Sequence, residues 1–146
     1  MSDQGLFRKA IPLFDQACKA EVAQACSELG HLYEWAPHFT ETDSVTQNYP
    51  LALELLTKAC DEGNADGCTN LGSLYSLGRG VHQDLTRAAA LYSKGCDWNI
   101  GSACNNLGVA LMHGAGVPEN KEKARDVLLR GCALGNQSAC EWLKKL

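Results

Sequence analysis

The residues of this chain whose type and spacing could do chemistry are its cysteines. Eight cysteines fall into four pairs, and the two members of each pair stand eight residues apart: Cys18 and Cys26, Cys60 and Cys68, Cys96 and Cys104, Cys132 and Cys140. Thiols can form disulfides, ligate zinc or serve as small core residues. Structural zinc sites favour cysteines separated by two to four residues, and no Cys-x-x-Cys occurs here. The spacing favours four disulfides, with eight reduced core thiols as the alternative.

The cysteine pairs recur along the chain. The first cysteines of pairs two, three and four follow one another at 36 residues, and the first interval is 42. A regular period of this length indicates a repeat protein. Apolar residues also stand eight, five and four positions before each first cysteine: Ala10, Leu13, Phe14; Ala52, Leu55, Leu56; Ala88, Leu91, Tyr92; Ala124, Val127, Leu128. These offsets predict one buried face of a helix in every repeat.

A break in the pattern separates the two cysteines of each pair, as in Asp61-Glu62-Gly63-Asn64. We therefore predict a turn, with one cysteine on each of two antiparallel helices. This arrangement brings the two Cα atoms within the roughly 4.4–6.8 Å that a disulfide needs. Two residues before the first cysteine, three repeats carry a cation (Lys58, Lys94 and Arg130), which suits the dipole at the end of a helix.

The periodicity predicts a single domain, 1–146, with four helical hairpins at about 6–36, 50–78, 85–114 and 121–146. The six residues by which the first interval exceeds the others fall in a polar stretch with Pro37, so we predict an inserted loop at about 36–49. Pro50 is expected to open the third helix. Gly78-Arg79-Gly80-Val81 and Gly114-Ala115-Gly116-Val117 are predicted as tight connectors whose glycines adopt positive φ.

Composition and motifs exclude several functions. The net charge of −4 and the lack of a long basic run argue against a nucleic-acid groove. No run approaches the roughly 20 apolar residues of a membrane span. The four histidines are scattered, and neither Ser-x-x-Lys nor His-Glu-x-x-His occurs. We expect no catalytic residue, metal or cofactor. Regular cysteines indicate an oxidising compartment, so we expect a periplasmic or secreted protein whose leader is absent from this sequence.

The stretches Cys68-Thr69-Asn70-Leu71-Gly72 through Gly78-Arg79-Gly80-Val81 and Cys104-Asn105-Asn106-Leu107-Gly108 through Gly114-Ala115-Gly116-Val117 resemble the Sel1-like repeat. The cysteine pairs resemble those of its cysteine-rich subgroup, the Helicobacter cysteine-rich proteins. This resemblance implies an all-α fold, a right-handed α/α superhelix (solenoid) of four disulfide-clasped hairpins, similar to tetratricopeptide arrays. The chain departs from the pattern at the Trp35–Tyr49 insert and at Lys144, where other repeats have glycine.

The resemblance also implies a concave surface that binds a protein or an extended peptide, formed by the second helix of each hairpin. The residues expected there are Ser27, His31, Trp35, Thr69, Asn70, Ser73, Ser76, Asn105, Asn106, Val109 and Met112. Asn70 and Asn106 occupy equivalent positions, and an asparagine amide can both donate to and accept from a peptide backbone. Alternatively, these asparagines tie one helix to the backbone of the next hairpin.

Two further possibilities remain open from the sequence. Trp35, Phe39 and Tyr49 of the insert could anchor a partner or fold back and cover the first hairpin. Members of the cysteine-rich subgroup carry a penicillin-binding or β-lactamase label, so the resemblance also implies a weak hydrolase, and an immunity or assembly factor for one dedicated partner fits equally. We expect a monomer that binds a protein or peptide, with no nucleic acid and no membrane span.

Overall fold

The structure is a computed structural model that describes residues 4–35 and 48–146. This part of the chain contains eight helices and no strand. The helices are α1 (Gln4–Lys19), α2 (Ala23–Trp35), α3 (Tyr49–Asp61), α4 (Ala65–Leu77), α5 (Leu85–Asp97), α6 (Gly101–His113), α7 (Lys121–Ala133) and α8 (Gln137–Leu143). The predicted all-α solenoid of helical hairpins is confirmed. Helix α3 begins at Tyr49, one residue before Pro50, because Asn48 caps it by accepting a hydrogen bond from the Leu51 amide at 3.0 Å.

One disulfide closes each hairpin. Cys18–Cys26, Cys60–Cys68, Cys96–Cys104 and Cys132–Cys140 are all bonded, with Cα–Cα distances between 4.5 and 4.7 Å. No free cysteine remains. The predicted pairing is therefore confirmed, and the alternative of eight reduced core thiols is not what the structure shows. Cys26, Cys68 and Cys104 are also fully buried, so the first three bridges belong to the core, whereas Cys132 and Cys140 are half-buried.

The four hairpin turns share one backbone feature. The third residue after the first cysteine lies in the left-handed region in every repeat, with φ of 65° at Glu21, 91° at Gly63, 64° at Asn99 and 91° at Gly135. This conformation reverses the chain within a few residues. The second helix can then begin at once, and the two cysteines come to lie opposite each other.

Glycines on the second helices let the hairpins stack closely. A Cβ placed on Gly30 would come within 2.8 Å of Leu56, and one on Gly108 within 2.5 Å of Leu128. Both leucines are fully buried and belong to the first helix of the following hairpin. The glycines that follow each repeated leucine therefore serve the packing between hairpins. Lys144, which takes the equivalent place on the last helix, is exposed.

The cations near the first cysteines reach further than their own helix. Lys58 Nζ donates to the backbone oxygen of Cys18 at 3.1 Å, in the preceding hairpin. Arg130 donates to the backbone oxygen of Asp97 at 3.2 Å. Lys94 instead lies over the Trp98 ring, 5.3 Å from its centroid. Two of the three cations thus cap the carbonyl end of a neighbouring helix, a partner that the dipole argument did not identify.

Candidate binding site on the second-helix face

The second-helix face is the side of the array formed by α2, α4, α6 and α8. Helix α2 packs against α4, and α6 packs against α8, whereas α4 and α6 make slight contacts at most, as successive first helices do. The second helices therefore approach one another in two pairs, with α4 and α6 further apart. Two clefts lie on the second-helix face.

The α2–α4 cleft has a volume of about 270 Å³ and is lined by Ser27, Glu28, His31, Asp66 and Asn70. Every lining side chain is polar, and two are carboxylates. The cleft lies between the first two hairpins. The side chain of Asn70 makes no hydrogen bond to any residue that the structure describes, so its amide is open to a ligand.

The α5–α8 cleft, which is lined by α5, α6, α8 and the end of α4, has a volume of about 360 Å³. Its floor and walls are mixed apolar, aromatic and polar, without an acidic residue. The lining residues are Ser76, Leu85, Ala88, Ala89, Tyr92, Asn105, Asn106, Val109, Ala110, His113, Ala115 and Trp142. A concave site with apolar walls and few polar groups is the usual form of a ligand pocket.

The structure divides the asparagines between the two clefts. Asn70 lines the first, and Asn105 and Asn106 line the second. Asn106 accepts a hydrogen bond from Asn105 Nδ2 at 3.4 Å. Within the described residues, neither Asn70 nor Asn106 bonds to the backbone of the next hairpin. The alternative in which they tie hairpins together is therefore not seen here.

Three of the predicted small polar residues are engaged inside the protein. Ser27 and Thr69 are buried, with 2% and 4% of their surface exposed. Thr69 Oγ1 donates to the Ala65 carbonyl at 2.9 Å. Ser73 accepts from the Tyr92 hydroxyl at 3.3 Å and donates to the Thr69 carbonyl at 3.4 Å. The hydroxyl groups of Thr69 and Ser73 are thus used in hydrogen bonds inside the protein. Ser27 is a buried residue of the α2–α4 cleft.

The other residues that were predicted to line the concave surface lie in different places. His31 is exposed at the α2–α4 cleft, and Ser76 and Val109 line the α5–α8 cleft. Met112 is half-buried and packs against the hydrophobic core, so it contributes to the packing of α6.

The insert is described only at its end. The side chain of Trp35 and all of Phe39 lie outside the described residues. Tyr49 is half-buried and packs against the core, with Arg79 5.6 Å from its ring centroid. For this one aromatic residue, a covering role for the first two hairpins fits better than an exposed anchor.

Two aromatic residues of the α5–α8 cleft were not identified from the sequence. Trp142 stands two residues after its cysteine, as Asn70 and Asn106 do, so the repeat register alone could have found it. Tyr92 was assigned only to the buried face of α5, where it is 7% exposed. Sequence spacing gives no sign that its hydroxyl side borders a cleft.

Glu34 is the most buried charged residue of the described chain, at 3% exposed. Burial raises the pKa of its carboxyl, and the nearby charges of His31 and Arg79 oppose this shift without cancelling it. Arg79 Nη1 lies 3.6 Å from Glu34 Oε1. This pair links α2 to the connector after α4 and so holds the first two hairpins together.

The described residues contain no group of three or more His, Cys, Asp or Glu side chains that could hold a metal ion. None of the described helices is long and apolar enough to span a bilayer.

Comparison with known proteins places these features in a wider group. The pattern of the Sel1 repeat matches residues 23–64, 65–97 and 101–136, which is more than half of the chain. No curated protein matches the sequence at a significant level. Helicobacter pylori cysteine-rich protein B is similar over 97% of this chain and 98% of its own, with 31% identity and a TM-score of 0.72.

Two other solved structures share the fold. A Sel1 repeat protein from Oxalobacter formigenes is 22% identical, with a TM-score of 0.81, and the match covers 94% of this chain. A protective antigen present in uropathogenic Escherichia coli strains, which displays an SLR fold, is 26% identical with a TM-score of 0.79 over 91% of this chain. The present chain spans 54% of the first of these proteins and 27% of the second.

Proposed function

Because this chain belongs to the Sel1 repeat family, we propose that it is a disulfide-bridged scaffold that binds a partner protein through an extended peptide segment. The peptide lies along the second-helix face, across α4 and α6. The observation that carries the proposal is the pair Asn70 and Asn106. These residues stand at equivalent positions of adjacent repeats, each opens into a cleft, and neither is used to hold the hairpins together.

The chemistry of the two amides suits a peptide backbone. A primary amide has two donor hydrogens and an acceptor oxygen, so it can pair with both the C=O and the N–H of an extended chain. Backbone groups are common to all peptides, so hydrogen bonds to these amides contribute affinity for any sequence. The clefts beside the two asparagines contribute selectivity for particular side chains. We propose a monomer as the binding unit, since one copy of the chain already contains both Asn70 and Asn106.

The four disulfides are typical of proteins outside the reducing cytoplasm. We propose that the protein works in the periplasm or after secretion. The partner is then a protein that passes through or resides in the same oxidising space. Capture experiments should therefore use an extract of that compartment under non-reducing conditions.

The test compares the wild type with the double variant Asn70→Ala/Asn106→Ala as bait in that extract. For the partner that the wild type captures, we expect the Kd of the variant to rise by at least about fivefold per lost neutral hydrogen bond, since each contributes about 1 kcal/mol. The melting temperature should stay within about 2 °C, because neither side chain bonds to a neighbouring hairpin and Asn106 makes only the long hydrogen bond from Asn105.

The matched control is Gln16→Ala/Thr86→Ala, which removes two exposed neutral polar side chains from first helices. This variant should bind as the wild type does. Unchanged affinity in the asparagine variant, or an equal loss in the control, would contradict the proposal. A large loss of stability with unchanged affinity would show that the asparagines serve the fold.

A further inference from the structure

The α5–α8 cleft contains a polar atom without a partner. Asn105 Oδ1 is buried and accepts no hydrogen bond in the part of the chain that the structure describes. More than nine in ten buried polar groups in proteins are paired, and an unpaired acceptor is destabilising. The residue that carries this cost lines the α5–α8 cleft, the larger of the two clefts described above.

The equivalent residues of the first two hairpins do not carry this cost. They are Ser27 and Thr69, each with a short hydroxyl side chain, and Thr69 Oγ1 bonds to the carbonyl four residues back in its own helix. The longer amide of Asn105 instead makes one contact, from its Nδ2 to Asn106 Oδ1 at 3.4 Å. This distance is long for a hydrogen bond, so little is lost if the Asn105 amide turns.

The surroundings of this amide are aromatic and apolar. Tyr92, Trp142, Leu85 and Val109 all line the cleft. The Trp142 ring is held in place by the edge of His113, at 6.0 Å between centroids, and by Lys145 Nζ, 4.6 Å from its centroid. A volume of about 360 Å³ accommodates one large side chain with its own backbone.

We propose that the α5–α8 cleft is an anchor pocket for one large apolar side chain of the bound peptide, of the leucine, phenylalanine or tryptophan kind. Asn105 turns its Oδ1 into the cleft and accepts the backbone N–H of that residue. The acceptor, unpaired in the free protein, then gains its donor, while the side chain packs against the apolar and aromatic lining, which includes Tyr92 and Trp142. This inference rests on the proposed function and names the part of the partner that the second-helix face selects.

The probe is N-acetyl-phenylalanine N-methylamide, titrated into the full chain and followed by ¹H–¹⁵N correlation spectra. Two analogues test the two halves of the proposal: the alanine compound lacks the ring, and the compound methylated on the phenylalanine nitrogen lacks the N–H. We expect the parent compound to shift the side-chain amide signals of Asn105 and the indole N–H of Trp142. Its Kd should be at least about tenfold lower than that of the alanine compound.

The variants separate the hydrogen bond from the pocket. Asn105→Thr introduces the residue that stands at the same place in the second hairpin, so we expect it to fold. It should weaken the parent compound severalfold and leave the N-methylated compound unchanged. Trp142→Ala should weaken both compounds, and Asn70→Ala, in the other cleft, should affect neither.

The possible results either support the anchor pocket or overturn it. Shifts that map to Asn105 and Trp142, with the expected ranking of compounds, support the anchor pocket. No shift at these signals, or an Asn105→Thr effect that is equal for the two compounds, overturns it. The proposed function fails separately, since it predicts loss of partner capture on Asn70→Ala/Asn106→Ala. A partner could lose affinity for Asn70→Ala/Asn106→Ala and still bind Asn105→Thr and Trp142→Ala as it binds the wild type. That result would support the proposed function and overturn the anchor pocket.

Discussion

Gly108 on α6 lies so close to Leu128 on α7 that a Cβ on the glycine would come within 2.5 Å of two leucine atoms. Leu128 is fully buried and cannot move aside without disturbing its own packing. The same approach occurs between Gly72 and Tyr92, at 2.9 Å. The distance between hairpins is therefore set by the absence of a side chain at one position of each second helix.

This contact predicts that Gly108→Ala destabilises the protein. Overpacking against Leu128 costs about 1–3 kcal/mol, and the better helix propensity of alanine returns up to about 1 kcal/mol. We expect a net loss of about 1–2 kcal/mol in the free energy of unfolding, measured by urea titration. Ser102→Ala, on the exposed side of the same helix, should stay within about 0.5 kcal/mol. A variant as stable as the wild type would show that neighbouring hairpins are not packed this tightly.

A second prediction concerns the hydrogen bond from Lys58 to the Cys18 carbonyl. Lys58→Met keeps most of the aliphatic stem and removes the charged donor. We expect a loss of about 1 kcal/mol, because the carbonyl at the end of α1 loses its charged donor and keeps the hydrogen bond from the Glu21 amide at 3.0 Å. Lys94→Met is the matched control, since Lys94 holds the same repeat position but contacts the Trp98 ring. Equal effects of the two substitutions would mean that the contact between hairpins contributes nothing.

The raised pKa of Glu34 predicts a pH dependence of stability. Because the folded protein holds this proton more tightly than the unfolded chain, stability falls as the pH rises from about the ordinary value of 4.5 through the raised pKa, and then levels off. Glu34→Gln should lack this component. The measurement is the difference in free energy of unfolding between wild type and Glu34→Gln from acid to neutral pH.

Repeating this comparison with His31→Gln in both proteins removes the neighbouring imidazole from the difference. The wild type should lose stability relative to the variant as the pH rises. If it instead gains stability over this range, the attraction of Arg79 outweighs burial, and the direction of the pKa shift is wrong.

Reduction gives a fourth prediction. Each bridge closes a short loop, which on the chain-entropy model contributes about 2.5 kcal/mol. Four such contributions rival the roughly 5–15 kcal/mol that stabilises a typical domain. After full reduction, verified by thiol alkylation and mass, we expect the melting temperature to fall by tens of degrees. An unchanged melting curve would show that the packing of the helices suffices without the bridges.

The sequence predicted the helices and the disulfides because both depend on local spacing. A turn of fixed length brings Cys60 next to Cys68 whatever the rest of the chain does. The accessible residues of the second-helix face were harder to predict, since their exposure depends on how neighbouring hairpins pack. Thr69 is buried because Gly95 of the next hairpin contacts its hydroxyl. Nothing in the spacing of Thr69 distinguishes it from the accessible Asn70 beside it.

The α5–α8 cleft was missed for a related reason. Its lining residues come from three hairpins and include Tyr92, which the repeat pattern assigns to the core. Trp142 could have been recognised by carrying the register of Asn70 and Asn106 into the last repeat. The unpaired oxygen of Asn105 has no sequence signal, because it results from the fit of one amide among its neighbours.

The most direct test of peptide binding by the second-helix face is site-specific photo-crosslinking to the captured partner. A benzophenone amino acid is placed at Ser76 or His113, at the border of the α5–α8 cleft, and at Glu54 or Asp126, which are exposed on first helices. We expect crosslinks from the first two positions and none from the other two. Crosslinks confined to Glu54 or Asp126 would contradict it.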